Sequence, residues 1–357
     1  MDVAPASHGA ANEAGSLGVI QRKYAIWNNK GGVGKTFVTF VVAAEYARRN
    51  PDRTVVVVDM CPQANVSEIL LGGNGAGSAQ LQRLLVTPSR TTIGGYFDSR
   101  IMSPHTPTGR EPDYVVDAAA INGNLPSNVR LIAGDPSLEI QAQAMNQISG
   151  QSLPPTSWAS VHKWLVDLLD GVSRRFPQSD YFIDTNPSFG PYTELALLAA
   201  SRLIVPCSAD GSSARAIDNI GRLLYGVGVP AAYTKVNFSH YATANGLNLP
   251  SVHLVPLNRS TQYYRRASRS FAAMYGEIQT RVRALEAAAP ARFSTHGDDL
   301  FFDIPDAHTV SIVVSHEGTP LDRVRVGTHN VNGEEIMVNQ DPLVRYRQAV
   351  EQLVGLL

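Results

Sequence analysis

A doubly wound α/β fold, with a mostly parallel sheet flanked by helices, follows from three observations on this 357-residue sequence. Thr54-Val55-Val56-Val57-Val58-Asp59 is a β-branched run without polar alternation, as a central parallel strand covered on both faces requires. Short apolar runs alternate with helix-like segments along most of the chain, the pattern of successive βαβ units. Finally, Asn28-Asn29-Lys30-Gly31-Gly32-Val33-Gly34-Lys35-Thr36 lies between the apolar run Tyr24 to Trp27 and the helix-like stretch Phe37 to Arg48. A glycine-rich turn at such a junction leaves backbone N–H groups pointing inward, and the next helix adds the positive end of its dipole, so a polyphosphate is cradled there.

The elements can be taken in order. Residues 1–21 are rich in Ala, Gly and Ser without periodicity and read as a flexible tail; 22–357 read as one domain with an enlarged segment over 72–127. After the first strand, the segment 36–49 places Val38, Val41, Val42 and Tyr46 on one apolar face, and Arg48 and Arg49 suit the helix end. The valine strand finishes in Asp59-Met60-Cys61-Pro62-Gln63-Ala64-Asn65, and functional groups in open α/β sheets collect at such carboxyl ends. Residues 72–112, with Gly72-Gly73-Asn74-Gly75 and several prolines, read as loops around a short helical piece. Strands are then expected at 181–184, 202–206 and 252–259, and helices at 158–174 and 213–225. Asp135 is suited to capping the helix that follows it, and is also a candidate site residue. A helix beyond 259 is expected to carry Arg265, Arg266 and Arg269 close together on one side, either as a basic patch or as a solvated face. Residues 341–357 form an amphipathic stripe.

Composition narrows the classes. A hydrophobic content of 44% with 17% charged residues suits a soluble globular protein. No apolar stretch approaches the roughly 18–20 residues that span a bilayer, so a cytoplasmic location is the default. The two cysteines, Cys61 and Cys207, are far apart and lack metal-ligand spacing, which argues against an iron–sulfur carrier. With a formal net charge of −1 no global field attracts nucleic acid, and any DNA contact needs a local patch.

The form Lys30-Gly31-Gly32-Val33-Gly34-Lys35-Thr36, with Asn29 where the general phosphate loop has Gly, resembles the deviant Walker A loop of the ParA/MinD family of P-loop ATPases. The resemblance implies ATP and Mg²⁺ as cofactors. Gly31, Gly32, Val33, Gly34 and Phe37 would surround the phosphates, Lys35 would meet the outer phosphates, Thr36 would hold Mg²⁺, and Lys30 would reach the nucleotide of a second subunit. Asp59 to Asn65 resembles the family's Asp-x-Asp-Pro-Gln-Gly-Asn, with Cys61 in place of the aspartate credited with positioning water. A thiol with an ordinary pKa near 8.5 is a poor substitute, so either hydrolysis is slow or partner-dependent, or Cys61 merely packs and water is oriented otherwise. Asp184-Thr185-Asn186-Pro187-Ser188 resembles the turn that senses the γ-phosphate, and makes Asp184, with Asp59, a candidate for arranging metal and water. Asn258 and Pro305 stand where relatives contact adenine, although Asn258 also suits an ordinary turn.

What this resemblance implies is a ParA-type partition ATPase. It would dimerise on ATP, bind DNA without sequence preference through Arg265, Arg266 and Arg269, and be released when a ParB-like partner stimulates hydrolysis; it would sit in the cytoplasm on the nucleoid. Two alternatives stay open: a MinD-like membrane-positioning ATPase using the last helix, and a small-molecule ligase or synthetase using the 72–127 segment. The last segment has only Arg345 and Arg347 as cations and carries Glu351, so packing on the sheet is the better reading and a membrane partner is not expected.

Overall fold

The computed structural model describes residues 21–86, 90–260, 262–263, 266–267 and 269–357, and no side chains within 259–272. From β1 (Lys23–Ile26) the chain passes through α1 (Lys35–Arg49), β2 (Thr54–Met60), α2 (Asn65–Leu70), α3 (Gly73–Val86), α4 (Ile93–Met102) and α5 (Ala118–Ile121). It continues as β3 (Val129–Ile132), α6 (Leu138–Ser149), α7 (Ser157–His162), α8 (Trp164–Arg175), β4 (Ser179–Thr185), α9 (Pro191–Ala199) and β5 (Arg202–Ile204). Then come α10 (Gly211–Tyr225), α11 (Phe238–Ala244), β6 (Ser251–Ser260), β7 (Gln262–Tyr263), β8 (Arg266–Ala267) and α12 (Arg269–Ala288). The last elements are β9 (Phe301–Pro305), α13 (Thr309–Glu317), β10 (Gly327–Val331), β11 (Glu334–Val338) and α14 (Gln340–Val354).

Seven strands form one sheet in the order β3-β2-β4-β1-β5-β6-β9, each paired parallel to its neighbours. The valine run explains why this sheet is covered on both sides: Val55 and Val57 enter the core shared with α1 and α14, whereas Val56 and Val58 enter the core shared with α4, α8 and α9. All four are fully buried, and each such side chain contributes about 1.5–3 kcal/mol of transfer free energy, which makes β2 a dominant organiser of the layers. Because strand order reverses around β1, the loop after β1 opens into the crevice at the carboxyl ends of β1, β2 and β4.

Several expectations need correction. Gly73 to Ser78 is not loop but the opening of α3. Its glycines serve close approach: a Cβ on Gly77 would stand 1.9 Å from the Glu68 carbonyl oxygen, and one on Gly73 would stand 2.0 Å from that of His316. The expected helix over 158–174 is divided at Lys163 into α7 and α8. The helix expected to carry the arginine cluster begins only at Arg269, since Arg266 belongs to the short antiparallel pairing of β7 with β8. Arg265 lies outside the described residues, as do the side chains of Arg266 and Arg269; the tail is outside them through residue 20. Asp135 is drawn into a buried knot with Arg90, Thr92 and Ser137 that ties the start of α4 to that of α6.

The β10–β11 hairpin was not anticipated, although Asn332-Gly333 at its tip is a strong hairpin signal, both residues having positive φ (55° and 90°). The apolar stripe of α14 is spent inside the protein: Leu343, Tyr346, Val350, Leu353 and Val354 are buried against α1 and β9. No helix among the described residues is long and apolar enough to cross a membrane. Leu353→Ala should therefore cost about 2–5 kcal/mol in urea unfolding, whereas a helix held in reserve for lipid would leave the midpoint almost unmoved.

Candidate functional site

A cavity of about 610 Å³ opens at the carboxyl ends of β1, β2 and β4. Gly31, Gly32, Gly34, Lys35, Thr36 and Phe37 form one wall; Cys61, Gln63 and Asn65 come from the exit of β2, Thr185, Asn186 and Pro187 from that of β4, and Ile69, Asn74 and Ser315 close the far end. Among the described residues, no carboxylate side chain lines it.

The glycine loop is shaped from outside. Asn28 is buried, donates to the Pro206 carbonyl at 2.8 Å and accepts from the Lys30 N–H at 2.9 Å, fixing the loop's entry against the exit of β5. Gly34 has φ +81°, and a Cβ there would stand 2.2 Å from Asn258 Nδ2, so only glycine fits. That Nδ2 donates to the Val33 carbonyl at 2.8 Å. Asn258, anticipated as a base contact, thus braces the loop, and neither it nor Pro305 is among the cavity's lining residues. Phe37 lines the cavity and packs on Tyr346, ring centres 5.8 Å apart.

The two lysines diverge. Lys35 Nζ folds back over the loop to the carbonyls of Lys30 and Asn28, at 3.0 and 3.3 Å, and burial pulls its pKa below the ordinary value against the attraction of Asp184. Lys30 turns away from the cavity to Ser208 Oγ at 2.8 Å and to Asp210, which caps α10 through the N–H groups of Ser212 and Ser213. Against its partial burial, the bond from Lys30 holds Asp210 down to about 2. Both partners are partly exposed, so the pair contributes about 1 kcal/mol or less and is easily exchanged for another anion. Asn29 links neighbouring parts: it accepts from Asn219 of α10 at 2.9 Å, and its own amide faces the Pro187 carbonyl at 3.4 Å. None of these long-range partners carries a local sequence signal.

Beneath the loop sit two fully buried carboxyl groups, brought together by the β2–β4 register in which Asp59 is the partner of Asp184. Asp184 accepts from Thr36 Oγ1 at 2.8 Å and Thr39 Oγ1 at 3.2 Å. Asp59 accepts from the Cys61 N–H at 3.0 Å and from Ser67 through N–H (3.0 Å) and Oγ (2.7 Å), so its oxygens are turned to the start of α2. Burial raises both pKa values, and the Asp59 charge raises that of Asp184 further. Cys61 lies at the cavity wall, and burial pushes its thiol up to about 12, so it is neutral.

The arrangement, a phosphate cradle with a lysine bent over it and a hydroxyl–carboxylate pair at its base, suits a nucleoside polyphosphate with a hard cation. Known proteins agree. The model of an AAA domain matches residues 21–228, more than half of the chain. Apo McdA from Cyanothece superposes with a TM-score of 0.60 at 17% identity, covering 94% of this chain and 100% of that one. ParA of pNOB8 does so at 0.55 with 15% identity, covering 94% and 96%. MinD from Pyrococcus horikoshii, complexed with Mg-ADP, does so at 0.51 with 16% identity, covering 94% and 95%. At such identities these likenesses speak for the fold. No curated protein matches the chain by sequence. By the domain it matches, the sheet it builds and the two-lysine loop that follows β1, the chain belongs to the ParA/MinD family of P-loop ATPases.

Proposed function

We propose that the chain is a ParA-type partition ATPase: two copies close on MgATP, the closed dimer binds DNA without sequence preference, and a ParB-like partner promotes hydrolysis and release. The observation that carries this reading is the divergence of the lysines. Lys35 belongs to its own loop, whereas Lys30 is directed out of its own cavity and tethered by a weak, partly exposed ion pair. A lysine so placed serves a second subunit's phosphates, which can outcompete one aspartate for it. Gly31, Gly32, Val33 and Gly34 cradle the phosphates, with Phe37 at the α-phosphate end. Pro305 is kept for the base, and Asn258 acts by bracing the glycine loop through the Val33 carbonyl. A cytoplasmic, nucleoid-associated protein is the corresponding location.

Thr36 and Asp184 would hold Mg²⁺: their donors are oxygen only, 2.8 Å apart, as a hard cation prefers, and Asp59 adds negative charge beside them. When bound, the ion neutralises charge on the β- and γ-phosphates. With every cavity-lining group short of a carboxylate, hydrolysis is expected to be slow, the behaviour of a switch that stays in its ATP state until a partner acts.

ATP, and not ADP, should convert the protein from monomer to dimer in light scattering, and Lys30→Ala should abolish this while leaving nucleotide binding within about threefold; a dimer that persists would remove Lys30 from the interface. Random duplex DNA should be bound only with MgATP, and the affinity should fall steeply with salt; equal binding without nucleotide would overturn the partition reading.

The buried pair also sets a pH dependence. Asp184, raised to about 7, binds its proton more tightly folded than unfolded, where carboxyls titrate near 4, so stability is lost as pH climbs through that window. The melting temperature of metal-free protein should accordingly fall between pH 5 and pH 8. MgADP should shrink the fall and Asp184→Asn should reduce it to the part that buried Asp59 supplies; a rise with pH would contradict the assignment.

A further inference from the structure

We infer that Gln63 positions the attacking water. The inference rests on the reading of the chain as an ATP-hydrolysing switch and answers how a cavity without a carboxylate could do it. Asp59 and Asp184 are excluded by commitment: the first accepts three hydrogen bonds around α2, the second accepts from Thr36 and Thr39, and neither lines the cavity. Cys61 presents a neutral thiol, a weak acceptor. Thr185 gives its one hydroxyl proton to the Ile26 carbonyl at 2.7 Å, so it can accept from a water but cannot also donate to a phosphoryl oxygen. Asn186 has its carbonyl oxygen engaged within its own turn, by the Ser188 N–H at 2.9 Å and the Ser188 hydroxyl at 3.0 Å.

Gln63 differs. It is exposed at the cavity wall, and Asn65 donates to its Oε1 at 3.3 Å, which orients the carboxamide while one lone pair and both amide hydrogens stay available. The turn is held for this: Ala64, between the two side chains, sits in the left-handed region at φ +52°, a conformation that costs a non-glycine residue about 1 kcal/mol or more and recurs where function needs it. A glutamine suits the reaction because phosphoryl transfer asks for an oriented water more than for a strong base. Gln63 Oε1 accepts a hydrogen bond from the water while its amide donates toward a γ-phosphoryl oxygen. The water oxygen bonds to the γ-phosphorus as the bond to the β–γ bridging oxygen breaks. The electron pair leaves with ADP, and the water's proton passes to a γ-phosphoryl oxygen, giving inorganic phosphate without a protein base.

Turnover, ATP affinity and ATP-dependent dimerisation should be measured together on the full chain. Gln63→Ala should lower kcat about 100-fold, with KM for ATP and dimerisation unchanged. In a Cys61→Asp background, where a carboxylate enters the same wall, the Gln63→Ala loss should be largely restored, which a structural role for Gln63 would not allow. Undiminished turnover in Gln63→Ala overturns the inference, and so does a loss of dimerisation in step with turnover. If the parent protein binds ATP and dimerises but never hydrolyses it, the Gln63 role falls and the nucleotide switch stands; if it binds no ATP, both fall.

Discussion

Parallel pairing of β2 with β4, in the register that sets Asp59 beside Asp184, is the constraint on which the site depends. Two carboxyl groups with no solvent must each be saturated with donors, because a buried anion without hydrogen bonds costs several kcal/mol. The donors come from different directions: Thr36 and Thr39 anchor α1 below the glycine loop, and Ser67 with the Cys61 N–H anchors the turn into α2. Ser67 in turn accepts from the Gly134 N–H at the exit of β3. The helix that follows the glycine loop and the turn from β2 into α2 on the cavity wall are thus positioned by the same buried pair.

A second set of contacts attaches the loop to α10. Adjacent residues Asn29 and Lys30 are bonded to Asn219 along that helix and to Asp210 at its cap. On its other side α10 packs on α12, where Arg281 pairs with Asp218 and Glu277. A partner's phosphates that drew Lys30 away would therefore loosen the tie between loop and α10 and leave the Asn29–Asn219 bond, and the site and the far helix share a connecting element. Long-range coupling of this kind needs no wire of covalent structure, only a packed element with two sets of contacts.

The parts read most directly from the chain were those whose cause is local. Four consecutive valines can be satisfied only by a strand buried on both faces, and the glycine loop between strand and helix admits few uses other than a phosphate cradle. Asp184 was legible because it ends an apolar run and precedes Thr-Asn-Pro-Ser. Where local rules misled, distant contacts had overridden them: glycines 73 to 77 look like a loop, yet they open a helix in which Gly73 and Gly77 are needed because His316 and Glu68 approach too closely for a side chain there. The hairpin at Asn332-Gly333 has a purely local cause, two adjacent residues that tolerate positive φ.

By itself, the sequence determined the sheet class, the place of the phosphate loop after β1, and the carboxylates that would gather near it, because hydrophobic period, glycine and strand ends are properties of neighbouring residues. Only the tertiary structure decided what those groups are free to do. Asp59 is held by Ser67, Asn258 by the loop carbonyl and the stripe of α14 by the core, whereas Lys30 is turned out of its own cavity and only loosely tethered to Asp210. Gln63 is left at the cavity wall with hydrogen-bonding capacity unspent. The reason is physical: a hydrogen bond or an apolar contact can be spent once, and which partner receives it is set by chain segments tens to hundreds of residues away.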